Sequence, residues 1–528
     1  MTRTTSQRRQ APSGGVCCRA GGQAWGKPDR NPASRANARR YQRHRPEQTL
    51  LYQIVEDNYP AFVEQMACEG RPLPHYVQRE FDEFLRCGRL EHGFLRVRCH
   101  DCHAERLVAF SCKRRGFCPS CGARRMAEAA ALLVDEVFPE QPIRQWVLSF
   151  PYPLRFLFAN KPEVMTHVLA IVYRVIATHL IKKAGFTRKS AHTGAVTLIQ
   201  RFGSALNLNL HFHMLFLDGV YVERGDGRIR FRWVKAPLSV ELTHLADTIA
   251  RRVGRYLERQ GLLERDAENS YLAGEDPDED PMSSVLGHSI TYRIAVGPNA
   301  GRKVMTLQTL PAEDPSFGDG IGQVGGFSLH AGVAARADQR DKLERLCRYI
   351  SRPAVSEKRL SLTNNGLVRY QLKTPYRDGT THVFFEPLDF LARLAALVPR
   401  PRVNLTRFHG VFAPNSQWRA QVTPAHRGKG NPNRRASPEV KPPGARRAAM
   451  SWAQRLKRVF DIDIATCEAC GGEVRIIATI EDPAVIRSIL DHLEKTGAMP
   501  QAYQLPAARA PPRPLPGLPA PRLHLTSG

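Results

Sequence analysis

The sequence predicts an α+β fold, a central antiparallel sheet backed by helices, with one small cysteine-bearing module before it and another after it. Three observations predict this. Residues 206–213 (LNLNLHFH) alternate apolar and polar without a break, the pattern of a strand with one face over a core. Residues 162–183 form an apolar-rich run too long for a strand, opened by a proline as a helix start allows. Cys99-x-x-Cys102 and Cys118-x-x-Cys121 are separated by fifteen residues, and Cys467-x-x-Cys470 follows near the end.

Residues 1–45 are rich in Arg, Gly, Ser and Ala with few core formers, and read as a disordered basic arm. Within it, residues 21–27 (GGQAWGK) imitate a phosphate-binding loop. Pro28 stands where that loop needs Ser or Thr and would obstruct the following helix, and no strand precedes it, so the match is rejected. A helical stretch over 47–87 leads into the cysteines, and 46–135 is taken as one domain. Residues 146–154 (WVLSFPYPL) read as a strand ending at Pro151, followed by the helix over 162–183. Strands over 195–202 and 206–217 bracket a turn at Gly203-Ser204. Residues 266–282 are acidic, with Pro and Gly, and read as a surface loop. A helix over 338–351 places Leu343, Leu346, Cys347 and Ile350 on one face and stops before Pro353. The central domain is taken as 136–422, with a basic Pro/Gly/Arg linker over 423–449, a small module over 450–495 and a Pro-rich tail over 496–528.

The charge balance bounds the partners. With 77 Lys+Arg against 50 Asp+Glu, the net charge of +27 attracts a polyanion, and nucleic acid is the natural one. The most apolar stretch, 167–181, is interrupted by Arg174, so no membrane-spanning segment is expected. The arginines of the N-terminus precede no apolar signal core, and a cytoplasmic location follows as the expectation. Twelve cysteines at metal spacings in so long a chain point to reduced thiols and zinc rather than disulfides.

Each Cys-x-x-Cys pair supplies half of a tetrahedron, so Cys99, Cys102, Cys118 and Cys121 are expected to close one structural zinc site. Cys87 and Cys112 are left over, as substitutes for a ligand or members of a second site. Cys467 and Cys470 form a half-site that could borrow ligands, bridge two chains or be surface thiols. Arg114, Arg115, Arg124 and Arg125, with Arg96, Arg98 and Lys113, crowd the first module and suit phosphate contacts; the alternative is a solvated basic face. On the alternating strand, Asn207, Asn209, His211 and His213 share one face, and imidazoles roughly 7 Å apart at the backbone can lean onto one metal ion. The alternative is an ordinary half-buried strand with histidines at its surface. Tyr349, near the end of the helix over 338–351, is flanked by Arg348 and Arg352, which suit holding phosphate oxygens.

The His-x-His strand resembles the signature of HUH nucleases, which cut single-stranded DNA with a tyrosine. Over about residues 47–495 the chain resembles the insertion sequence 91 family of rolling-circle transposases. The blocks that carry the likeness are SCKRRGFCPSCGARR, RQWVLSFPYPLRF, QRFGSALNLNLHFHMLFLDGVY, CRYISRPAVSEKRL, RFHGVFAPNSQWR and WAQRLKRVFDIDIATCEACGGEVRIIATIEDPAVI, in that order. The resemblance implies an HUH-nuclease-like antiparallel sheet, a catalytic metal on His211 and His213, and attack on DNA by Tyr349. Two-tyrosine members carry another tyrosine four residues earlier, where this chain has Arg345, so it resembles the single-tyrosine branch. Either two subunits of a homodimer or sequential use of Tyr349 would then complete strand transfer. The third metal ligand stays open between Asn209 and Gln200.

The implied metal is Mg²⁺ or Mn²⁺, with histidines favouring manganese on ligand preference. The implied substrate is single-stranded or hairpin DNA at transposon ends and target DNA, so the protein is expected with the bacterial nucleoid or a plasmid. The implied product is a 5′-phosphotyrosine, from which strands can be rejoined. Competing readings are a plasmid replication initiator or relaxase, a transposase with a carboxylate triad, and a non-catalytic zinc-dependent DNA-binding protein.

Overall fold

In a computed structural model, residues 39–40, 45–223, 225, 227–265, 270–272, 280–310, 321–428 and 462–495 are described. Nearly all of the expected basic arm, most of the acidic loop, linker residues 429–449 and the tail 496–528 lie outside these residues. Apart from Arg39, the described residues belong to one unit that begins at Arg40.

The helical stretch over 47–87 is two helices, α1 (Leu50–Cys68) and α2 (His75–Arg86). Thr49 caps the first, its hydroxyl accepting from the Tyr52 backbone N–H at 3.3 Å. Gly70 turns the chain at φ +71°, and Pro72 and Pro74 prevent continuation. A hairpin of β1 (Phe94–Cys99) and β2 (Glu105–Ala109) follows, then α3 (Pro119–Leu132), β3 (Ile143–Ser149), α4 (Tyr152–Asn160) and α5 (Pro162–Lys183). The strand expected to end at Pro151 thus stops at Ser149, and Pro151 instead caps α4. By length and composition α5 could cross a membrane, contrary to expectation, but its Val164, Val168, Val172 and Ile176 are buried in the core.

Among the described residues the central sheet has six strands, all antiparallel. Its order is β6 (Ile321–Val324), β7 (Phe327–Ala335), β3, β5 (Leu208–Leu217), β4 (Gly194–Phe202) and β11 (Thr406–Gly410). The alternation read from sequence holds from Leu208. Leu206, expected in the strand, sits in the preceding turn at φ +58°. Leu208, Leu210, Phe212, Met214 and Phe216 enter the main core with α4 and α5. The other face carries Asn209, His211 and His213 and is covered too, unlike the surface face of the alternative reading: every residue of β5 is buried. Leu215 and Leu217 on that face pack into a second core under α8 (Arg340–Ile350), whose Leu343, Leu346, Cys347 and Ile350 supply the helical stripe seen in sequence.

A second antiparallel sheet contains Met305–Gln308 and, in chain order, β8 (Leu360–Leu362), β9 (Val368–Gln371) and β10 (Thr380–Phe385). The first module is no separate body, because α1, α2 and the aromatic side chains of Phe81, Phe84 and Phe117 belong to the same core as Trp146 and Phe212. The C-terminal stretch is no separate body either. Strand β12 (Val474–Ile480) pairs antiparallel with β1, Cys99 opposite Val474, and Ile486 of the last helix (Pro483–Lys495) packs on Phe94 and Leu107.

One buried ion pair ties the central sheet. Arg144 of β3 donates to both carboxylate oxygens of Asp218, at 2.9 and 2.7 Å, and to the carbonyl of Ala331 in β7 at 2.9 Å. Arg144→Ala would leave a buried carboxylate without its partner, and the expected loss is about 3–5 kcal/mol of stability. Denaturant unfolding measures it; a midpoint unchanged from wild type would show the pair is dispensable.

Candidate functional site

His211 and His213 lie on the centre of β5, 1 % and 3 % exposed. Their Nε2 atoms are 3.1 Å apart. His211 fixes its tautomer by donating from Nδ1 to the Asn209 carbonyl at 2.8 Å, which leaves its Nε2 lone pair free. Nδ1 of His213 meets the side-chain amide of Gln145 in β3 at 2.7 Å, and the other amide atom, Oε1, is buried without a hydrogen-bond partner. The site therefore has two closed arrangements. In one, His213 donates from Nε2 to His211. In the other, the Gln145 amide is turned half a revolution, Oε1 accepts from Nδ1–H, and both Nε2 lone pairs converge. A separation of 3.1 Å suits two ligands of one ion with metal–nitrogen bonds of about 2.1 Å.

Burial pushes the His211 imidazole down to about 4, aided by the Arg352 and Arg155 cations and opposed by the Asn209 carbonyl. His213 is likewise pushed well down, by burial first, then by His211 and Arg352. Both rings are thus neutral at pH 7, the form in which imidazole binds metal. Asn209 carries a buried Oδ1 without a hydrogen-bond partner. Gln200 stands opposite His211 in the strand register and spends its amide N–H on the carbonyl of Ile350, at 2.9 Å. That bond joins the histidine strands to the end of α8, next to Tyr349.

Tyr349 is half-buried, with two cations over its ring: the Arg352 guanidinium and the Lys373 ammonium, each 4.4 Å from the ring centre. Arg352 also donates to the Tyr349 carbonyl at 2.8 Å. Lys373 lies just past the end of β9, and burial first, then Arg352 and Arg359, pushes its ammonium down to about 8. Arg348 is half-buried, its Nε enclosed and without a hydrogen-bond partner. Histidine pair, tyrosine and Arg352 are therefore gathered on one side of the sheet. Sequence reasoning missed Gln145 and Lys373. Gln145 could have been found as the lone amide in the apolar run 145–148; Lys373 carries no local signal.

The cysteines regroup. Cys87, Cys112, Cys118 and Cys121 form one cluster, and Cys99, Cys102, Cys467 and Cys470 another, each with its sulfurs within 4.8 Å of one another. The expected grouping of Cys99 and Cys102 with Cys118 and Cys121 is corrected for a geometric reason. Cys99 and Cys102 lie at the tip of the β1–β2 hairpin, while Cys87 precedes its base and Cys112 follows it. A strand of this length separates tip from base by roughly 15–20 Å. In the first cluster Sγ–Sγ distances are 3.4 Å for Cys112–Cys121, 3.7 Å for Cys87–Cys121 and 3.8 Å for Cys87–Cys118. The edge of a tetrahedron with zinc–sulfur bonds of 2.3 Å is about 3.8 Å. Backbone N–H groups of Cys112 and Lys113 donate to Cys87 and Cys121 sulfurs, at 3.3 and 3.2 Å, as they would to thiolates on a metal.

The arginines of this module are engaged within the chain. Arg114 forms a two-point ion pair with Glu83, Arg125 donates to the Arg114 carbonyl, Arg115 to the Val403 carbonyl at 2.6 Å, and Arg124 to Glu128 at 3.2 Å. Beside the first cluster lies a cavity of about 400 Å³ lined by His75, Arg79, Lys113, Arg114 and Arg115, among others.

The class of protein is defined by two family models, and it is that of the DNA transposases. A family model described as "Putative transposase" matches residues 194–419, and one described as "Transposase zinc-binding domain" matches residues 54–150. The first spans His211, His213 and Tyr349; the second spans the cysteines from Cys87 to Cys121. Together they make the chain a transposase of the insertion sequence 91 family, with DNA as its partner and structural zinc in its first module. No curated protein and no solved structure matches the chain.

Proposed function

We propose that this transposase is a tyrosine nuclease of rolling-circle type, which cuts one DNA strand and holds it as a phosphotyrosine. The observation that carries the reading is the convergence of the His211 and His213 Nε2 atoms at 3.1 Å, on strands that Gln200 ties to the helix of Tyr349. His211 and His213 would hold a divalent ion, Mg²⁺ or Mn²⁺, with the third ligand either the orphaned Oδ1 of Asn209 or the side-chain oxygen of Gln200, whose N–H is held by the Ile350 carbonyl. When bound, that ion supplies charge neutralisation at the scissile phosphate. The chain's own residues do the rest. The Tyr349 oxygen attacks phosphorus, the bond from phosphorus to the 3′ oxygen breaks, and the phenol loses a proton while the leaving oxygen gains one. The products are a 5′-phosphotyrosine and a free 3′-OH, which can attack the adduct to rejoin the strand without ATP.

Arg352 and Lys373 would stabilise the negative charge shared by the attacking oxygen and the phosphate. The substrate is single-stranded or hairpin DNA at transposon ends, its backbone drawn by the basic cavity beside the first cysteine cluster. With Arg345 where two-tyrosine members carry a second tyrosine, strand transfer proceeds through two subunits or through repeated use of Tyr349. Among the described residues no trio of carboxylates converges; the clusters able to hold a metal through three or more acidic, histidine or cysteine groups are the two cysteine sets. That favours the tyrosine reading over a carboxylate-triad transposase.

Cleavage of labelled single-stranded oligonucleotides from the element's ends, with and without Mn²⁺, tests the reading: metal-dependent nicking is expected, and binding without any nicking on several end sequences contradicts it. Lys373→Gln is expected to slow cleavage about tenfold at pH 7, the scale of a desolvated cation over an aromatic ring. Because the Lys373 ammonium is held down to about 8, it is charged below that pH and lost above it. The gap between wild type and variant should therefore be widest below pH 8 and close above it. A gap constant from pH 6 to 9 would remove Lys373 from this role.

A further inference from the structure

We infer that Cys99, Cys102, Cys467 and Cys470 bind a second zinc ion, which staples the C-terminal segment to the N-terminal hairpin. The pairs come from distant parts of the chain. Cys99 Sγ lies 3.4 Å from Cys470 Sγ, and Cys102 Sγ lies 3.5 Å from Cys467 Sγ. All four are free thiols, and the distances approach the edge of a zinc–thiolate tetrahedron, about 3.8 Å. Cys467 and Cys470 fall beyond both matched regions, which end at residues 150 and 419.

Both half-sites are preformed turns. The Cys99 N–H donates to the Ala104 carbonyl at 2.9 Å, and the chain turns at His103, φ +61°. On the other side the Cys467 N–H donates to the Gly472 carbonyl at 2.8 Å, and the chain turns at Gly471, φ +78°. Gly472 donates to Cys470 Sγ at 3.4 Å, the contact a thiolate ligand receives in a zinc knuckle. The two turns meet closely. The His100 N–H donates to the Glu473 carbonyl at 2.8 Å, and a side chain at Gly472 would strike the Asp101 carboxylate.

The segment needs such a tie. Strand β12 is largely exposed, with Ile476 63 % and Ile477 47 % accessible. Among the described residues, the apolar core beneath it has four buried members, Leu90, Phe94, Leu107 and Ile486, with Ile480, Ile489, Leu490 and Leu493 partly buried against them. Four thiolates on one ion would supply what so small a core does not, because metal-binding free energy becomes folding free energy when the ligands are otherwise apart. A core histidine or carboxylate is not required, and four sulfur ligands leave no open position, so the role is structural.

Zinc counted per full-length chain tests the inference, with cobalt substitution reading the thiolate ligands by their charge-transfer absorption. The wild type is expected to hold two equivalents. C467S/C470S should hold one, C99S/C102S one, and the quadruple variant still one, because the two pairs serve the same ion. Chelation, and the C467S/C470S change alone, should also open residues 462–495 to protease. One equivalent in wild type, or two retained in C467S/C470S, overturns the inference. Circular dichroism identifies any variant that fails to fold, and Cys470→Ser, at an exposed ligand, then carries the same count. Two disulfides in place of metal would overturn it as well.

Discussion

Tyr349→Phe is expected to bind single-stranded DNA as tightly as wild type and to form no covalent adduct. The change removes one oxygen from a half-buried ring and leaves the Arg352 and Lys373 cations in place. Phosphate attraction, and so affinity, rests on such cations and should survive. Cleavage should fall at least about a thousandfold, since loss of a nucleophile leaves only what positioning and electrostatics supply. Gel-shift titration and a denaturing-gel cleavage assay on the same oligonucleotide check both halves. Residual cleavage within tenfold of wild type would place the nucleophile elsewhere.

His211→Ala should show the second large effect. The variant loses one of two buried imidazoles whose Nε2 atoms face each other at 3.1 Å. Metal affinity should drop by more than the 10–100-fold typical of losing an outer-shell partner, and cleavage should require far more Mn²⁺ or vanish. His213→Ala should behave alike, and the double variant no worse than either single, because both serve one ion. Titration of activity against Mn²⁺, with calorimetry of metal binding, separates this from simple unfolding. Unchanged Mn²⁺ dependence in both single variants would return the pair to an ordinary place in the sheet.

How much of the fold and site is legible in the sequence depends on the range of each interaction. The period-2 run 208–213 and the helical stripe Leu343, Leu346, Cys347 and Ile350 are local patterns, and both elements form where those patterns place them. The start of β5 is not legible, because Leu206 looks like the next apolar member while the turn requires it at positive φ. Burial of the histidine face is not legible either, since α8 covers it from 130 residues away in sequence. Cysteine spacing identifies half-sites and cannot say which halves meet. That is set by the antiparallel pairing of β1 with β12, a contact across some 375 residues that leaves no local trace. Lys373 reaches Tyr349 only through the second sheet, for the same reason.

The tyrosine reading stands on one event, the joining of Tyr349 to DNA. To observe it, the protein is incubated with Mn²⁺ and an end-derived oligonucleotide labelled on the 3′ side of the cut, then denatured, and the labelled peptide is mapped by mass spectrometry. A metal-dependent adduct in which Tyr349 carries the 5′ phosphate is expected. Cleavage with no adduct, or an adduct on any other residue, would contradict the assignment.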